Sequence, residues 1–207
     1  MRAMVEHCAN TPVSVPDMKD ILDICQRAAV GDEEGRKKLM GLLFNRIHRT
    51  ASYLSESIEE AEDVAQTACI EVLASAGMFR GDSSLHRWAD RVTVFTAAKM
   101  IQKKTRRQRL WETYFQPPEP PPGVDTTVGR TEVRHRLAAL IRKLKYSQRE
   151  ILLLRYIHGY TINEAAEICG IPVETARGRL KKGRAVLKKK VMTDPLLREW
   201  IDEWMQQ

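Results

Sequence analysis

Apolar residues recur every three or four positions through most of this chain, and no stretch shows the strict alternation typical of a half-buried strand. In the N-terminal half this spacing predicts four helices, at about residues 18–29, 33–54, 57–76 and 85–108. The side chains expected to face the core are Leu39, Leu43, Ile47, Leu54, Ile58, Ala61, Ala65, Ala68, Val72, Leu85, Trp88, Val92 and Phe95. The pattern therefore predicts an all-α fold.

The C-terminal half shows a second helical pattern, carried by Val133, Leu137, Leu140, Ile141 and Leu144. Ser147 and Glu150 then have the spacing of a capping box, in which two side chains satisfy the free amides at a helix start. The apolar run ILLLRYI follows them, and Gly159 is expected to end that helix.

Residues 161–184 contain the signals of two short helices joined by a tight turn. Thr161 and Glu164 form a second capping box, Gly170 marks a stop, and Pro172 is tolerated in the first turn of the next helix. This is the pattern of a helix-turn-helix. Its second helix is rich in Arg and Lys, as a helix lying between DNA phosphates requires.

A proline-rich segment divides the chain. PPEPPP at residues 117–122 holds five of the nine prolines and cannot continue a helix. We therefore expect two small helical domains joined by a Pro-rich linker. The expected parts are a leader at 1–17, a helical domain at 18–111, the linker at 112–130, a helix-turn-helix domain at 131–190 and an amphipathic tail at 191–207.

Charge is distributed unevenly along the chain, which carries a net charge of +7. Eight of the fourteen residues 177–190 are basic and none is acidic, whereas residues 50–79 contain six acids and neither Lys nor Arg. A basic helix-turn-helix predicts a polyanionic partner, and a separate acidic helix predicts a second, basic partner. The net-acidic tail either packs on its own domain or modulates the basic surface.

Several classes of protein are disfavoured by what the sequence lacks. The four cysteines show no CxxC spacing, so we expect reduced thiols and no metal site. No HExxH, phosphate-binding loop or nucleophile elbow is present, and the five histidines fall in different segments, so we expect neither catalysis nor a cofactor. Without a run of eighteen apolar residues, a cytoplasmic protein with no membrane insertion is expected.

Three stretches together resemble a known family. AEDVAQTACIEVL at 61–73 resembles the region 2.2 helix of bacterial RNA polymerase sigma factors, and FRGDSSLHRWADRV at 79–92 resembles their regions 2.3 and 2.4. Residues 147–187 resemble region 4. The order of these motifs and the linker between them are those of the small extracytoplasmic-function (ECF) group, which keeps only regions 2 and 4.

The resemblance implies partners and site residues. Core RNA polymerase would be bound by Glu62, Asp63, Gln66 and Glu71. The −10 element of promoter DNA would be bound and opened by Arg80, Arg87, Arg91, Lys99, Lys103, Lys104, Arg106 and Arg107, with Phe79 or Trp88 stacking on a base. The −35 element would be bound by Thr175, Arg177, Arg179, Lys181, Lys182 and Arg184. An anti-sigma protein is a possible further partner.

The sequence departs from the family at two places, and one alternative stays open. Phe95 and Lys99 stand where many members carry Asn and Asp, and Gly178 interrupts the recognition helix, either as a tolerated surface residue or to permit close approach of the backbone. The alternative is a dimeric helix-turn-helix regulator that binds a palindromic operator. That alternative gives no role to the acidic helix of the first domain.

Overall fold

The computed structural model describes residues 16–112, 136–137, 139–195 and 197–198, with side chains through residue 104 in the first range. These residues are mainly α-helical, and no strand is present among them, as predicted. The N-terminal unit consists of α1 (Met18–Ala29), α2 (Glu33–Leu54), α3 (Ile58–Ala74), a 3₁₀ turn (Ala76–Met78) and α4 (Leu85–Glu112). The C-terminal unit contains α5 (Tyr146–Leu152), a π-helical segment (Leu153–Ile157), α6 (Ile162–Cys169) and α7 (Val173–Met192).

Side-chain caps start the first three helices. Asp17, Asp32 and Ser57 each accept a hydrogen bond from a backbone amide in the first turn of the helix they precede. Such a cap contributes about 1 kcal/mol by satisfying a donor that has no partner within the helix. These polar residues between apolar stretches explain why the observed helix starts lie within a residue of the predicted ones.

The N-terminal unit is organised around α2, against which α1, α3 and α4 pack. Leu39, Leu43, Ile47 and Leu54 are completely buried, or nearly so, on one face of α2, as predicted. Two other core predictions are wrong. Ile58 is 68% exposed, because the first residue of a helix has packed neighbours on one side only, and Phe95 is 38% exposed because it lies at the edge of a groove.

The C-terminal unit confirms one predicted capping box and contradicts the other. Thr161 and Glu164 satisfy each other's backbone amides, and Gly170 ends α6 with the left-handed φ of 65° that favours glycine. By contrast α5 begins at Tyr146 with no side-chain cap, and Glu150 bonds to Arg179 instead of to its own helix start. The proline-rich linker lies outside the described residues.

The two units share one continuous core. The same cluster of buried side chains includes Leu43 and Val94 of the N-terminal unit and Ile151, Leu154 and Ala165 of the C-terminal unit. Helix α6 packs on α4, and α5 packs on α2. The helix-turn-helix therefore lies directly against the helix whose basic residues were predicted to bind the −10 element.

Candidate nucleic-acid interface

Helix α7 carries most of its predicted DNA-binding side chains on the surface. The exposed members of that set are Thr175, Arg177, Lys181, Lys182 and Arg184. Glu174 pairs with Arg177 across 2.8 Å, one turn apart on the same helix. A Cβ at Gly178 would have no heavy atom within 4 Å, so this glycine faces open space in the free protein.

Arg179 differs from its neighbours because it points toward the inside of the unit. Its Nη1 donates to Glu150 Oε1 across 2.6 Å, and the Glu150 side chain is only 7% exposed. Burial raises the pKa of Glu150 to about 7, against the opposing effect of the Arg179 guanidinium. The pair joins α7 to α5, so Arg179 positions the recognition helix.

Two features beside α7 were not singled out from the sequence. Arg155 and Tyr156, from the π-helical segment, line the same cavity as Arg177, Lys181 and Arg184, with a volume of about 600 Å³. Gly183 lies where an added Cβ would be 3.0 Å from Leu152 Cδ1 and 3.2 Å from Gln148 Cβ, so glycine lets α7 pack on α5 without a shift of these side chains. Arg155 could have been noticed in the sequence as the one charged residue inside the apolar run ILLLRYI.

The predicted −10 residues form a broken basic surface along α4. Arg80, Arg91, Lys99, Lys103 and Lys104 are exposed, whereas the side chains of Arg106 and Arg107 lie outside the described residues. Lys104 pairs with Glu60 across 3.3 Å and Lys99 with Glu71 across 3.6 Å. Arg87 is 21% exposed because Glu164 and Glu167 of α6 hold its guanidinium.

A groove of about 610 Å³ opens beside this basic surface. Its lining consists of Glu71, Ala74, Ser75, Met78, Trp88, Arg91, Val92 and Phe95. The guanidinium carbon of Arg91 lies 5.7 Å from the centre of the Phe95 ring, a cation–π arrangement. Phe79 is 7% exposed and packs on Trp88 from behind, so Trp88 and Phe95, and not Phe79, offer aromatic surface to the groove.

The four residues predicted to bind core polymerase fall on two sides of α3. Glu62, Asp63 and Gln66 are exposed together on one face. Glu71 is on the opposite face, where it accepts a hydrogen bond from Thr96 and pairs with Lys99 at the groove. The acidic face therefore consists of the first three residues, whereas Glu71 lies beside Lys99, one of the residues predicted to bind the −10 element.

Other kinds of site were considered over the same described part of the chain. No three His, Cys, Asp or Glu side chains there come close enough together to hold a metal ion. None of the described helices is long and apolar enough to span a membrane. Burial raises the pKa of the Cys25 thiol to about 11 and also raises that of Cys169, as expected for thiols that pack in the interior.

Comparison with known proteins identifies both units. The family model for sigma-70 region 2 matches residues 40–107, and that for sigma-70 region 4 matches residues 134–187. The chain is 28% identical over 171 residues to the RNA polymerase sigma-H factor of Pseudomonas aeruginosa, covering 78% of this chain and 83% of that protein. It is also 28% identical over 191 residues to the ECF RNA polymerase sigma-E factor of Escherichia coli, covering 80% and 92%.

Two solved structures show the same fold. The sigma factor RpoE of Bartonella quintana, solved in complex with the anti-sigma factor NepR, matches with a TM-score of 0.59 at 22% identity, covering 76% of this chain and 97% of that one. CnrH, solved with the cytosolic domain of CnrY, matches with a TM-score of 0.56 at 18% identity, covering 84% and 97%. The family models, the curated relatives and the fold agree, and this chain belongs to the sigma-70 family of RNA polymerase sigma factors, in its ECF group.

Proposed function

We propose that this chain binds core RNA polymerase, recognises promoter DNA through its two helical units and thereby directs transcription initiation. The observation that carries the proposal is the order of three surfaces along the chain. An acidic face on α3 comes first, a basic surface on α4 with a groove beside it second, and a basic recognition helix α7 third. Each surface lies in the stretch of sequence that resembles the corresponding sigma-factor region.

The acidic face of α3 is proposed to dock on the polymerase. Glu62, Asp63 and Gln66 are exposed without an intramolecular ion pair among the described residues. Complementary charge at such a surface accelerates encounter and sets the register of the bound partner. Glu71 is left out of this face because Lys99 and Thr96 already occupy its carboxylate.

The groove on α4 is proposed to hold an unpaired base of the −10 element. A base leaving the stack needs an aromatic surface and nearby cations, which Trp88, Phe95 and Arg91 supply. Because a phenyl ring stands where many family members carry Asn, stacking replaces a hydrogen bond to the base edge at this position. We therefore propose that base preference at this position is weaker than in members with Asn.

The recognition helix is proposed to read the −35 element with Arg177 and to hold phosphates with its lysines. Arg177 can donate two hydrogen bonds to a guanine, which discriminates against other bases by about 1–3 kcal/mol. Lys181, Lys182 and Arg184 are exposed on the same helix, which supports their proposed contacts to the DNA backbone. Arg179 takes no direct part, because Glu150 holds its guanidinium.

One experiment tests the function as a whole. The purified chain is added to bacterial core RNA polymerase on a library of genomic promoter fragments, and transcript starts are mapped. We expect starts at a defined set of promoters that core polymerase alone ignores. A palindromic footprint obtained without polymerase, with no new starts in its presence, would instead support the dimeric regulator.

Control by an anti-sigma protein is a further part of this proposal. Both solved structures described above were obtained with a bound protein, which for the sigma factor of Bartonella quintana is the anti-sigma factor NepR. We propose that this chain also has such a partner. Incubation of this chain with an excess of its own anti-sigma partner should abolish the new transcript starts.

A further inference from the structure

Gly178 is a glycine for which the free protein has no structural use. It lies inside helix α7 and is not among the glycines with positive φ, so alanine could adopt the same backbone conformation. A Cβ at this position would meet no heavy atom within 4 Å, so packing does not exclude a side chain either. Within the protein Gly178 only destabilises α7, because glycine loses more backbone freedom in a helix than alanine does.

The other described glycines of the C-terminal unit each have a structural reason. Gly159 and Gly170 have positive φ values of 76° and 65°, which other residues rarely adopt. Gly183, on the same helix as Gly178, lies where a Cβ would be 3.0 Å from Leu152 Cδ1. Gly178 differs from all three, so the reason for a glycine there has to be sought in something that binds α7.

Gly178 lies at the centre of the face that α7 turns away from the protein. An α-helix has about 3.6 residues per turn, so residues two positions away lie on the opposite side. These are Ala176, which is completely buried, and Leu180, which packs against the core. The residues one turn away share the face of Gly178 and are all exposed: Glu174, Thr175, Lys181 and Lys182. A helix that enters the major groove of DNA presents such a face to the base edges.

The chemistry that Gly178 offers on this face is apolar. Its backbone N–H and C=O belong to the hydrogen bonds of the helix, and it has no side chain, so a ligand meets only its Cα. Thr175, one turn earlier, adds a methyl group to the same face. The only apolar group on the base edges in the major groove is the C5-methyl group of thymine.

The missing side chain also sets how closely α7 can approach DNA. A Cβ would hold a base about 1.5 Å further from the helix axis, which is the length of one carbon–carbon bond. Glycine is the residue that permits such a close approach of the backbone to a ligand. The long side chains of Lys181 and Lys182 can still reach phosphates on either side of the contact.

We propose that Gly178 is a specificity-determining residue of the recognition helix, where its Cα and the methyl group of Thr175 receive the C5-methyl group of a thymine in the major groove. The proposal rests on the proposed function, in which α7 reads the −35 element. It adds a base preference at a position that Arg177 does not read, since Arg177 is proposed to pair with guanine. Gly178 makes the free helix less stable and the contact with DNA closer.

The test compares the wild type, Gly178→Ala and Gly41→Ala, each as the full-length chain. Gly41 is the matched control, because it is exposed inside α2, where a Cβ would also meet no heavy atom within 4 Å. It lies outside the three surfaces proposed to bind polymerase and DNA. Each substitution replaces an exposed helical glycine by a better helix former, so each should raise the melting temperature by about 2–4 °C.

DNA binding is measured without polymerase, because the outer face of α7 is exposed in the free protein. A pool of random-sequence duplexes is selected on the wild-type chain at low salt, and the enriched duplex is the probe. Fluorescence anisotropy then gives the affinity of each protein for this duplex. It also gives the affinity for copies in which one thymine at a time is replaced by deoxyuridine, which removes only the methyl group.

We expect one thymine at which loss of the methyl group weakens wild-type binding about fourfold, which corresponds to about 0.8 kcal/mol. Gly178→Ala should bind the parent duplex at least about fivefold more weakly, because the added methyl group takes the space of the thymine methyl. The same variant should bind the deoxyuridine copy at least as tightly as the parent duplex. Gly41→Ala should bind both duplexes as the wild type does.

Four results would overturn the proposal. These are the absence of an enriched sequence, a wild type that is insensitive to the methyl group of every thymine, equal sensitivity in Gly178→Ala and the wild type, and a loss of affinity in Gly41→Ala as large as that in Gly178→Ala. Promoter-specific transcription with core polymerase is measured separately. A chain that directs initiation without methyl dependence disproves only the role of Gly178, and methyl dependence without new transcript starts disproves only the proposed function.

Discussion

The guanidinium of Arg179 lies 2.6 Å from the carboxylate of Glu150, which fixes the recognition helix against the helix that precedes the helix-turn-helix. Arg179 is 31% exposed and Glu150 7% exposed at the side chain. Although Arg179 lies in the middle of the basic helix α7, its charge is therefore used to hold α7 against α5. Its neighbour two positions earlier, Arg177, is exposed and pairs with Glu174, which is itself exposed, so solvent screens this pair and DNA can displace it.

The first prediction separates these two arginines. Arg179→Ala should lower the free energy of unfolding by about 1–3 kcal/mol, because a buried acceptor loses its partner. Arg177→Ala should leave stability nearly unchanged and weaken discrimination at one base pair of the −35 element. Chemical denaturation measures stability, and anisotropy titrations with duplexes that differ at single base pairs measure discrimination. Equal losses of stability in both variants would contradict the assignment.

The second prediction concerns the acidic face of α3. Glu62→Lys with Asp63→Lys should weaken binding to core polymerase about tenfold or more, since the partner surface is expected to be basic. Both side chains are exposed, so the helical fold should be retained. Glu33→Lys with Glu34→Lys is the control, because it makes the same change in charge on α2. Affinity is measured by surface plasmon resonance on immobilised core enzyme.

If the control weakens binding as much as the α3 variant, the polymerase responds to total charge and the docking face is elsewhere.

The third prediction concerns the groove beside α4. Phe95→Ala should reduce promoter opening, since stacking of one base on an aromatic ring contributes about 1–3 kcal/mol. Permanganate reactivity of unpaired thymines near the start site measures opening. Phe44→Ala is the control, because Phe44 is a half-exposed phenyl on α2, away from the groove. Phe95→Asn should restore a hydrogen-bonding side chain and sharpen base preference at one position of the −10 element.

Local signals in the sequence predicted most of the helices but few of the contacts between them. Thr161 and Glu164 lie three residues apart, so their reciprocal cap follows from spacing alone. Ser147 and Glu150 have the same spacing, yet Glu150 bonds to Arg179, 29 positions away, which no local pattern can indicate. The acid of a local capping motif can therefore pair with a distant Arg when the fold brings the two side chains together.

The candidate site could likewise be predicted from the sequence only in part. The basic character of α4 and α7 is a property of composition and was visible, and so was the resemblance to regions 2 and 4. The sequence did not show whether a given Lys or Arg side chain is free to bind DNA or is already paired with an acid. Arg87 and Lys99 are engaged by acids of α6 and α3, and these pairings depend on how the helices pack. Periodicity also placed Phe95 in the core, because residues at a groove edge share the spacing of core residues.

The fourth prediction concerns pH. Burial lowers the pKa of His158 to about 4, below its ordinary value of 6.5. Asp90 raises this pKa, while the other charged groups that act on the ring lower it, and these are Arg46, Arg49 and His86. Between about pH 4 and 6.5 the unfolded chain therefore binds a proton that the folded chain does not. Stability should rise with pH over this window, and the contribution is lost as pH falls through it.

His158→Gln isolates this contribution. The difference of about 2.5 between the two pKa values corresponds to about 3 kcal/mol at most. The wild type should lose that much more unfolding free energy than the variant when pH is lowered from 7 to 4, measured by urea denaturation at each pH. Subtracting the variant also removes the opposite effect of Glu150, whose raised pKa favours folding at low pH. Parallel curves for the two proteins would exclude His158 as the titrating group.

The fifth prediction concerns the start of the C-terminal tail. Asp194 accepts a hydrogen bond from the Leu197 amide across 3.2 Å and pairs with Arg136 across 3.5 Å, while Leu197 is 2% exposed. The beginning of the tail is thus anchored in the C-terminal unit. Leu197→Ala should lower the free energy of unfolding by about 2–3 kcal/mol through lost burial and a residual cavity. Thermal denaturation measures this effect, with Met192→Ala, at a half-exposed position near the end of α7, as control.

Deleting residues 194–207 separates a structural tail from a regulatory one. A structural tail lowers the melting temperature on deletion and leaves DNA affinity unchanged. A tail that holds its acids near residues 177–190 competes with phosphates, so its removal tightens binding of duplex DNA at low salt, and less so as salt screens the charges. The burial of Leu197 favours the first result. Tighter low-salt binding by the deletion variant, together with unchanged binding by Leu197→Ala, would instead assign the competing charge to the acids beyond Leu197.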